Sequence, residues 1–162
     1  MKLAAKMLAG NDNRVVVGLG ATGVSCARYL YQRGLSFTVV DTRIQPPGLA
    51  TLRREMPDVP VFAGEYPAEL VASASVLIVS PGIAMDAPIV TQALEAGVEV
   101  LGDIDLFMRE AAAPVVGITG SNAKSTVTEL LGQMARCAQL NVGVGGNLGT
   151  PALDLLADDR DL

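Results

Sequence analysis

Short aliphatic runs alternate with longer amphipathic stretches along most of the chain. Runs of Val, Ile and Leu without polar alternation are typical of parallel strands, which are covered on both faces. Such runs predict strands at 14–18, 36–40, 59–62, 75–79 and 98–101. The stretches between and after them predict helices at 21–33, 49–56, 67–72, 88–96 and 103–112, the last capped by Asp103. This alternation indicates an α/β fold with a Rossmann-like, doubly wound parallel sheet.

A second unit begins near Pro114, after three consecutive alanines. Its pattern predicts a strand at 115–119, a helix at 125–138, a strand at 141–144 and a Pro-started helix at 151–156. One strand–loop–helix–strand unit cannot cover its own sheet, so we expect this second domain to be only partly present. The predicted domains are therefore 1–112 and 113–162. An open sheet edge with exposed apolar surface would favour self-association or local disorder after about residue 112.

Charge and histidine content limit the classes of partner and chemistry. The 162 residues carry a formal net charge of −5, and the basic residues form no cluster longer than Arg53-Arg54. Both features disfavour nucleic acid as a partner. The sequence contains no His, which removes the commonest general base and the commonest zinc ligand. A small anionic ligand stays compatible with this composition, because helix N-termini and loop amides bind phosphate without much positive charge.

Targeting signals and cysteine usage agree with a protein of the reducing cytoplasm. No run approaches 18 apolar residues, and the N-terminal MKLAAKMLAG lacks the long apolar core of a signal peptide. Cys26 and Cys137 lie in predicted helices without a partner motif, and we expect both to be small buried side chains. The sequence therefore predicts a cytoplasmic protein with no membrane partner.

The first motif is a glycine loop between a predicted strand and a predicted helix, with the sequence GLGATG at 18–23. In the G-x-G-x-x-G pattern, Gly18 permits the tight turn, Gly20 lets the backbone approach a diphosphate, and Gly23 allows the helix to pack close to the strand. The amides at the start of the helix and the Thr22 hydroxyl would donate to phosphate oxygens. The motif in this context predicts a nucleotide diphosphate site.

An acidic residue follows this loop at the spacing of the dinucleotide fingerprint. Asp41 ends the second predicted strand, 18 residues after Gly23, and would accept hydrogen bonds from ribose hydroxyls. Arg43 could add a charged or stacking contact. These residues do not identify the nucleotide: NAD(P) and a nucleotide-sugar diphosphate both satisfy them, and a glycine turn that serves packing alone is the structural alternative.

The second motif, GITGSNAKST at 117–126, also follows a predicted strand and opens a helix, as a phosphate-binding P-loop does. Lys124 would reach the β- and γ-phosphates of ATP, the Ser125 hydroxyl would bind Mg²⁺, and Thr126 could donate to a phosphate. Backbone amides would form the anion-binding nest. The loop residues that supply this nest before the lysine are Gly120, Ser121, Asn122 and Ala123.

This loop departs from the G-x-x-x-x-G-K-[ST] pattern at both required glycines, where it has Ile118 and Ala123. A positive φ at the second position would cost alanine about 1 kcal/mol or more, whereas a negative φ would cost little. We therefore expect the conformation of Ala123 to decide how well the loop tolerates this substitution.

Two phosphate loops in one short chain disfavour an ordinary dehydrogenase. The order and spacing of the motifs resemble the Mur ligase family, and within it the enzymes that add D-glutamate to UDP-N-acetylmuramoyl-L-alanine. The segments that carry the resemblance are VVVGLGATG, VVDTR with PPG, VSPGI, GDIDLF, GITGSNAKSTVT and VGGNLGTPAL. The resemblance covers nearly all of 14–156 and implies a Rossmann-like UDP-binding domain followed by the start of a P-loop α/β ATP-binding domain.

The resemblance also implies roles for individual residues. The diphosphate would contact Ala21 and Thr22 beside Gly20, and the uracil end would contact Asp41, Thr42 and Arg43. The uridine portion would contact Pro81 and Gly82, and Asn147 of the GGNLGT loop would reach the substrate. Lys124 would be the catalytic residue, with ATP and Mg²⁺ as cofactors and D-glutamate as second substrate. In the family, the alanine carboxylate is activated as an acyl phosphate, which the amine of D-glutamate then attacks.

Further parts that the resemblance implies, including a Mg²⁺-binding glutamate, a histidine, a modified lysine and a C-terminal domain, are not found in this sequence. We therefore expect a part of a longer enzyme that binds the UDP moiety but does not ligate on its own. Two alternatives from other classes stay open at this point: a plain NAD(P)-binding domain, and a non-catalytic module that binds nucleotide sugars.

Overall fold

The computed structural model describes residues 13–147 and 149–157. The N-terminal segment for which we expected no signal peptide therefore lies outside the described residues. All five strands predicted before residue 102 are present, with ends that lie within two residues of the predicted ones. They are β1 (Arg14–Val17), β2 (Phe37–Asp41), β3 (Val61–Ala63), β4 (Val76–Val79) and β5 (Glu99–Gly102).

The helices likewise follow the predicted segments. They are α1 (Ala21–Gln32), α2 (Leu49–Glu55), α3 (Ala68–Ala72), α4 (Pro88–Glu95), α5 (Asp103–Glu110) and α6 (Lys124–Cys137), followed by a 3₁₀ helix at Ala152–Ala157. Gly34 and Gly97, just beyond α1 and α4, have φ values of +65° and +74°, which only glycine adopts without strain. None of the helices in the described ranges is long and apolar enough to cross a membrane.

The five strands form one parallel sheet in the order β3-β2-β1-β4-β5. Alternate residues of the central strands point to opposite faces, so that Val16 lies in the core beneath α1, α2 and α5, and Val15 in the core beneath α3 and α4. The chain places β2 and β3 on one side of β1 and then returns to place β4 and β5 on the other. This confirms the doubly wound α/β fold and puts its switch point between β1 and β4.

The two strands predicted after residue 113 are absent, and this prediction was wrong for the described structure. Residues 115–119 and 141–144 carry no strand, and Val115 and Val116 are 43% and 62% exposed. A strand needs a neighbour for its backbone hydrogen bonds, and among the described residues every sheet strand lies between 14 and 102. The two domain ranges and the start of a P-loop α/β domain remain predictions.

Three smaller expectations need correction. Asp103 is the first residue of α5 and not its cap: Gly102 is the cap, and its N–H donates to the Asp105 carboxylate at 2.7 Å. Burial raises the pKa of Asp103. Cys26 is buried, which raises the pKa of its thiol to about 12, but Cys137 is exposed, like most residues of α6. The predicted helix at 151–156 is a 3₁₀ helix.

Candidate functional site

The first glycine loop lies at the carboxyl end of β1, in the middle of the sheet. Gly18 has a φ of +89°, and its N–H donates to the Val40 carbonyl of β2 at 2.8 Å. Its own carbonyl accepts a hydrogen bond from the Ser80 hydroxyl, after β4, at 3.1 Å. The loop is therefore bonded to the strands on both sides of β1. In doubly wound sheets this position, at the carboxyl ends beside the switch point, is the crevice where ligands bind.

The glycines of this loop differ in what surrounds them. A Cβ on Gly23 would lie 1.8 Å from the Gly18 carbonyl oxygen, whereas a Cβ on Gly20 would meet no atom within 4 Å. The close packing predicted for Gly23 is thus confirmed, and Gly20 faces open space. Gly20 caps α1 without a side-chain hydrogen bond, so the first amides of the helix, at Ala21 and Thr22, are placed to bind an anion.

Both carboxylate oxygens of Asp41 are engaged within the protein. Oδ2 accepts from the Leu19 N–H at 2.7 Å and from the Arg43 guanidinium at 2.6 Å, and Oδ1 accepts from the Arg43 N–H and Nε at 2.8 and 2.9 Å. The hydrogen bond from the Arg43 side chain, assisted by those from the two amides, lowers the pKa of Asp41 to about 2 although burial opposes the shift. Asp41 therefore holds the glycine loop and aims Arg43, whose side chain stays 54% exposed. A direct contact of Asp41 with a ribose or base remains a prediction, as does one from the exposed Thr42.

The Ser-Pro-Gly turn after β4 flanks the glycine loop on its other side. The Ser80 N–H donates to the Val17 carbonyl at 3.1 Å, and the Ile83 N–H donates to the Ser80 carbonyl at 2.9 Å, which closes the turn. Pro81 and Gly82 are exposed on it. Ser80 is a structural member of the site that the sequence analysis did not select, although a hydroxyl directly after a buried strand at the switch point was an available signal.

The Pro-Pro-Gly loop after β2 forms a further wall of the site. The Gly48 N–H donates to the Leu19 carbonyl at 2.9 Å, and a Cβ on Gly48 would lie 2.4 Å from a methyl group of Val24 in α1. A cleft of about 390 Å³ separates this loop from α1. It is lined by Ala21, Val24, Arg28, Pro47, Gly48, Thr51, Pro151 and Asp154. The cleft thus extends from the start of α1 to the segment that follows the GGNLGT loop.

In the second loop, Ala123 adopts the positive φ that would be costly for an alanine. Ala123 adopts a left-handed φ of +61° directly before α6, and Gly120 has a φ of +150°. Lys124 Nζ donates to the Gly120 carbonyl, so the lysine folds over its own loop. The predicted ATP-binding residues 120–126 are all exposed, and α6 has no side-chain cap. An uncapped helix start beneath a lysine fits a phosphate group.

The residues around this loop also fit Mg²⁺ held largely by phosphate oxygens and water. The Ser125 hydroxyl lies in the exposed first turn of α6, and within the described ranges no group of three or more His, Cys, Asp or Glu could hold a metal ion by itself. Magnesium usually keeps several water ligands and few protein ligands. Ser125 is the protein ligand that the sequence predicts for Mg²⁺, and binding of the ion here remains a prediction.

Asn147 lies exposed on a closed turn. The Gly146 N–H donates to the Thr150 carbonyl at 2.8 Å, and a Cβ on Gly145 would lie 2.3 Å from that same carbonyl oxygen. The 3₁₀ helix that follows contacts α1 and α5. The Asn147 turn is thus followed by a segment that packs on α1, the helix that starts at the glycine loop, whereas the Lys124 loop leads into α6.

Residues 12–102 match a family model described as the N-terminal domain of Mur ligases of the MurD-like type. This match covers more than half of the chain, including the glycine loop, the Asp41 turn and the Ser-Pro-Gly turn. The chain belongs to the MurD-like Mur ligases. Such membership disfavours the nicotinamide-binding alternative, because the glycine loop is shared by both classes whereas the family model covers the whole first sheet.

Curated relatives extend the similarity beyond the first sheet. The chain is 60% identical over 156 residues to the UDP-N-acetylmuramoylalanine–D-glutamate ligase of Pseudomonas aeruginosa. These residues are 96% of this chain and 35% of that protein. The protein of the same name from Hahella chejuensis is 52% identical over 156 residues, with the same two coverages. The chain therefore spans about a third of the length of these MurD-like relatives.

A solved structure supports the same fold. A pseudomurein peptide ligase type C from Methanothermus fervidus superimposes with a TM-score of 0.54 at 26% identity, over 81% of this chain and 27% of that one. A Mur-like ligase thus shares the architecture, which agrees with the assignment to the MurD-like family.

Proposed function

We propose that this chain forms the UDP-binding domain, and the start of the ATP-binding domain, of a cytoplasmic ligase that joins D-glutamate to UDP-N-acetylmuramoyl-L-alanine. The observation that carries the proposal is membership of the MurD-like family together with an open, uncapped helix start at the switch point of the sheet. Relatives with more than 50% identity bear the name of that ligase.

In this proposal the nucleotide lies along the carboxyl ends of β2, β1 and β4. Amides at Gly20, Ala21 and Thr22 hold the diphosphate, since the positive end of α1 and the open space at Gly20 favour an anion there. Arg43 is held by Asp41 and stacks on or donates to the uracil, while Thr42 donates beside it. Pro81 and Gly82 contact the uridine from the β4 side.

The Lys124 loop would bind ATP with Mg²⁺ near Ser125. ATP would supply its γ-phosphoryl group to the alanine carboxylate and leave as ADP, and the amine of D-glutamate would then displace phosphate from the resulting acyl phosphate. Positioning and charge neutralisation dominate such chemistry. Lys124 contributes a mobile positive charge that leaves the Gly120 carbonyl for the phosphates, and Gly120, Ser121, Asn122, Ala123 and Thr126 surround them. Asn147 orients the muramoyl-alanine end.

Calorimetric titration of the 162-residue chain with UDP-N-acetylmuramoyl-L-alanine, UDP, NADH and ATP–Mg²⁺ tests the proposal. We expect saturable binding of both uridine ligands, none of NADH, and no release of ADP with D-glutamate, because the chain spans a third of its relatives. Asp41→Ala should abolish uridine binding, whereas Asp58→Ala, which removes an exposed carboxylate, should not. Binding of NADH alone would overturn the proposal. Release of ADP that depends on D-glutamate would contradict the claim that the chain does not ligate on its own.

A further inference from the structure

The segment after the Asn147 turn is anchored to the first sheet by burial. Ala152 and Leu153 of the 3₁₀ helix are 4% and 5% exposed, and Leu153 belongs to the apolar core formed with α1, α2 and α5. Leu156 packs against the same core. The burial of these apolar side chains therefore fixes the position of the 3₁₀ helix on α1 and α5.

Asp154 adds a polar anchor on the side of this helix that faces α1. Its Oδ1 accepts from the Ser25 hydroxyl at 2.7 Å, and one guanidinium nitrogen of Arg28 donates to both carboxylate oxygens at 3.1 and 3.2 Å. Ser25 is 1% exposed, which makes its hydroxyl a fixed partner. A carboxylate held by a buried hydroxyl and an arginine has one well-defined position.

Arg28 is in turn oriented from its other side. Its Nε and second terminal nitrogen donate to Glu55 at the end of α2, at 3.2 and 2.9 Å. Because the side chains of Arg28, Glu55 and Asp154 are about one-third exposed, these pairs contribute little to overall stability. Their effect is geometric: they link α2, α1 and the 3₁₀ helix through one guanidinium.

The anchored residue lies close in sequence to the base of the Asn147 turn. The turn is closed by the hydrogen bond between the Gly146 N–H and the Thr150 carbonyl, and Asp154 follows Thr150 by four residues. The Asp154 N–H donates to the Pro151 carbonyl at 3.1 Å, so little freedom remains between anchor and turn. Ser25 and Arg28 lie one and two turns along the helix whose first residues form the proposed diphosphate site.

The cleft described above joins these two places. Its lining includes Ala21 at the start of α1, and Pro151 and Asp154 at the base of the turn. In the proposed function the ligand contacts both the start of α1 and Asn147, so its affinity depends on the distance between these two places being held constant.

We propose that Asp154 is a positioning residue that, through Ser25 and Arg28, holds the Asn147 turn at a fixed distance from the diphosphate end of α1. The proposal rests on the proposed function, since it assumes a uridine ligand that reaches both places. It predicts that loss of the Asp154 side chain lowers the affinity contributed by the muramoyl-alanine part of the ligand and leaves that of the UDP part unchanged.

Calorimetry with UDP and with UDP-N-acetylmuramoyl-L-alanine separates the two parts. For the 162-residue chain we expect Asp154→Ala to weaken binding of the longer ligand by about 10-fold, the size of one lost hydrogen bond between the misplaced Asn147 turn and the ligand, and to leave UDP affinity unchanged. Ser25→Ala should produce part of the same loss, and the double variant should lose no more than Asp154→Ala alone, because both changes break one contact. Asp58→Ala, which removes an exposed carboxylate that bonds to Tyr31 and lies outside the Arg28–Asp154 contacts, is the matched control and should affect neither ligand.

The other possible results would overturn either the positioning role of Asp154 or the proposed function. Equal loss of UDP and of the longer ligand in Asp154→Ala would show a general effect on the fold and overturn the positioning role. An unchanged affinity for both, or a wild-type chain that binds both equally, would overturn it too. Failure of the wild-type chain to bind UDP at all would instead overturn the proposed function. If Asp154→Ala does not fold, Ser25→Ala and Asp154→Asn provide the same comparison.

Discussion

The runs at 14–17 and 115–119 resemble each other in sequence but not in structure. Each is rich in valine and precedes a glycine-containing loop and a helix. Val15 and Val16 of β1 are 0% exposed between two paired strands, whereas Val115 and Val116 are 43% and 62% exposed and carry no strand. An aliphatic run thus indicates that a segment can form a strand, and the presence of neighbouring strands to pair with decides whether it does.

The helices that follow the two runs show the same contrast. Most of the α1 residues after its first turn are buried against the sheet. In α6 only Gly132 and Ala135 are buried, and large apolar side chains such as Leu130 and Met134 are 56% and 60% exposed. The predicted self-association or local disorder after residue 112 is consistent with this exposed face and stays a prediction.

The largest expected effect comes from the same truncation made in the two helices. Leu30→Ala in α1 removes a fully buried side chain from the core and should lower the free energy of unfolding by about 3 kcal/mol. Leu130→Ala in α6 removes an exposed one and should change it by less than about 0.5 kcal/mol. Urea unfolding followed by circular dichroism measures both. Similar losses from the two variants would show that α6 is buried in solution, as self-association would bury it.

A smaller effect is expected from Asp41, whose hydrogen bonds have no counterpart in the second loop. Asp41→Asn should lower the free energy of unfolding at pH 7 by about 2 kcal/mol, because charge-assisted hydrogen bonds from Arg43 and Leu19 are lost. Since the folded pKa of Asp41 is about 2, below the value of about 3.9 for an unfolded aspartate, this stabilisation is present above pH 4. It should disappear as the pH falls from about 4 towards 2.

Unfolding of wild type and Asp41→Asn across this pH range, with Asp58→Asn as the exposed-carboxylate control, checks the expectation. The stability difference between wild type and Asp41→Asn should shrink on acidification. A difference that stayed constant down to pH 2 would mean that the Asp41 carboxylate is not stabilised in its charged form.

The smallest effect concerns the left-handed residue before α6. Ala123→Gly removes a Cβ at a φ of +61° and should stabilise the first turn of α6 by about 1 kcal/mol. Amide hydrogen exchange at Val127, whose N–H donates to the Ala123 carbonyl, should become slower. Gln133→Gly, at an exposed position inside the helix, should have the opposite sign and cost about 1 kcal/mol. Faster exchange at Val127 in Ala123→Gly would indicate that the loop does not hold this φ in solution.

Local pattern alone predicted the strands up to residue 102, the helices between them and the glycine loop. Close contacts in this region involve neighbours in sequence, such as Gly23 against Gly18, and the burial of the strands follows from their composition. The unpredicted members of the site are those whose partners are distant: Ser80 bonds to Gly18 across 62 residues, and Ser25 bonds to Asp154 across 129. A single sequence carries no signal for such pairs, although a hydroxyl directly after a buried strand could have marked Ser80 itself as a candidate.

The sequence by itself determined the α/β class, the order of the five strands along the chain and the two glycine-containing loops, because hydrophobic periodicity and glycine placement act over a few residues. Only the tertiary structure decided that Asp41 is engaged by Leu19 and Arg43, that Asp154 is held on α1, and that the run at 115–119 carries no strand. Arg43 is close to Asp41 in sequence, but Leu19 lies 22 residues from Asp41 and Ser25 lies 129 residues from Asp154. The run at 115–119 likewise needed a neighbouring strand to become one, and hydrogen bonds form only between groups that the packed chain has already brought together.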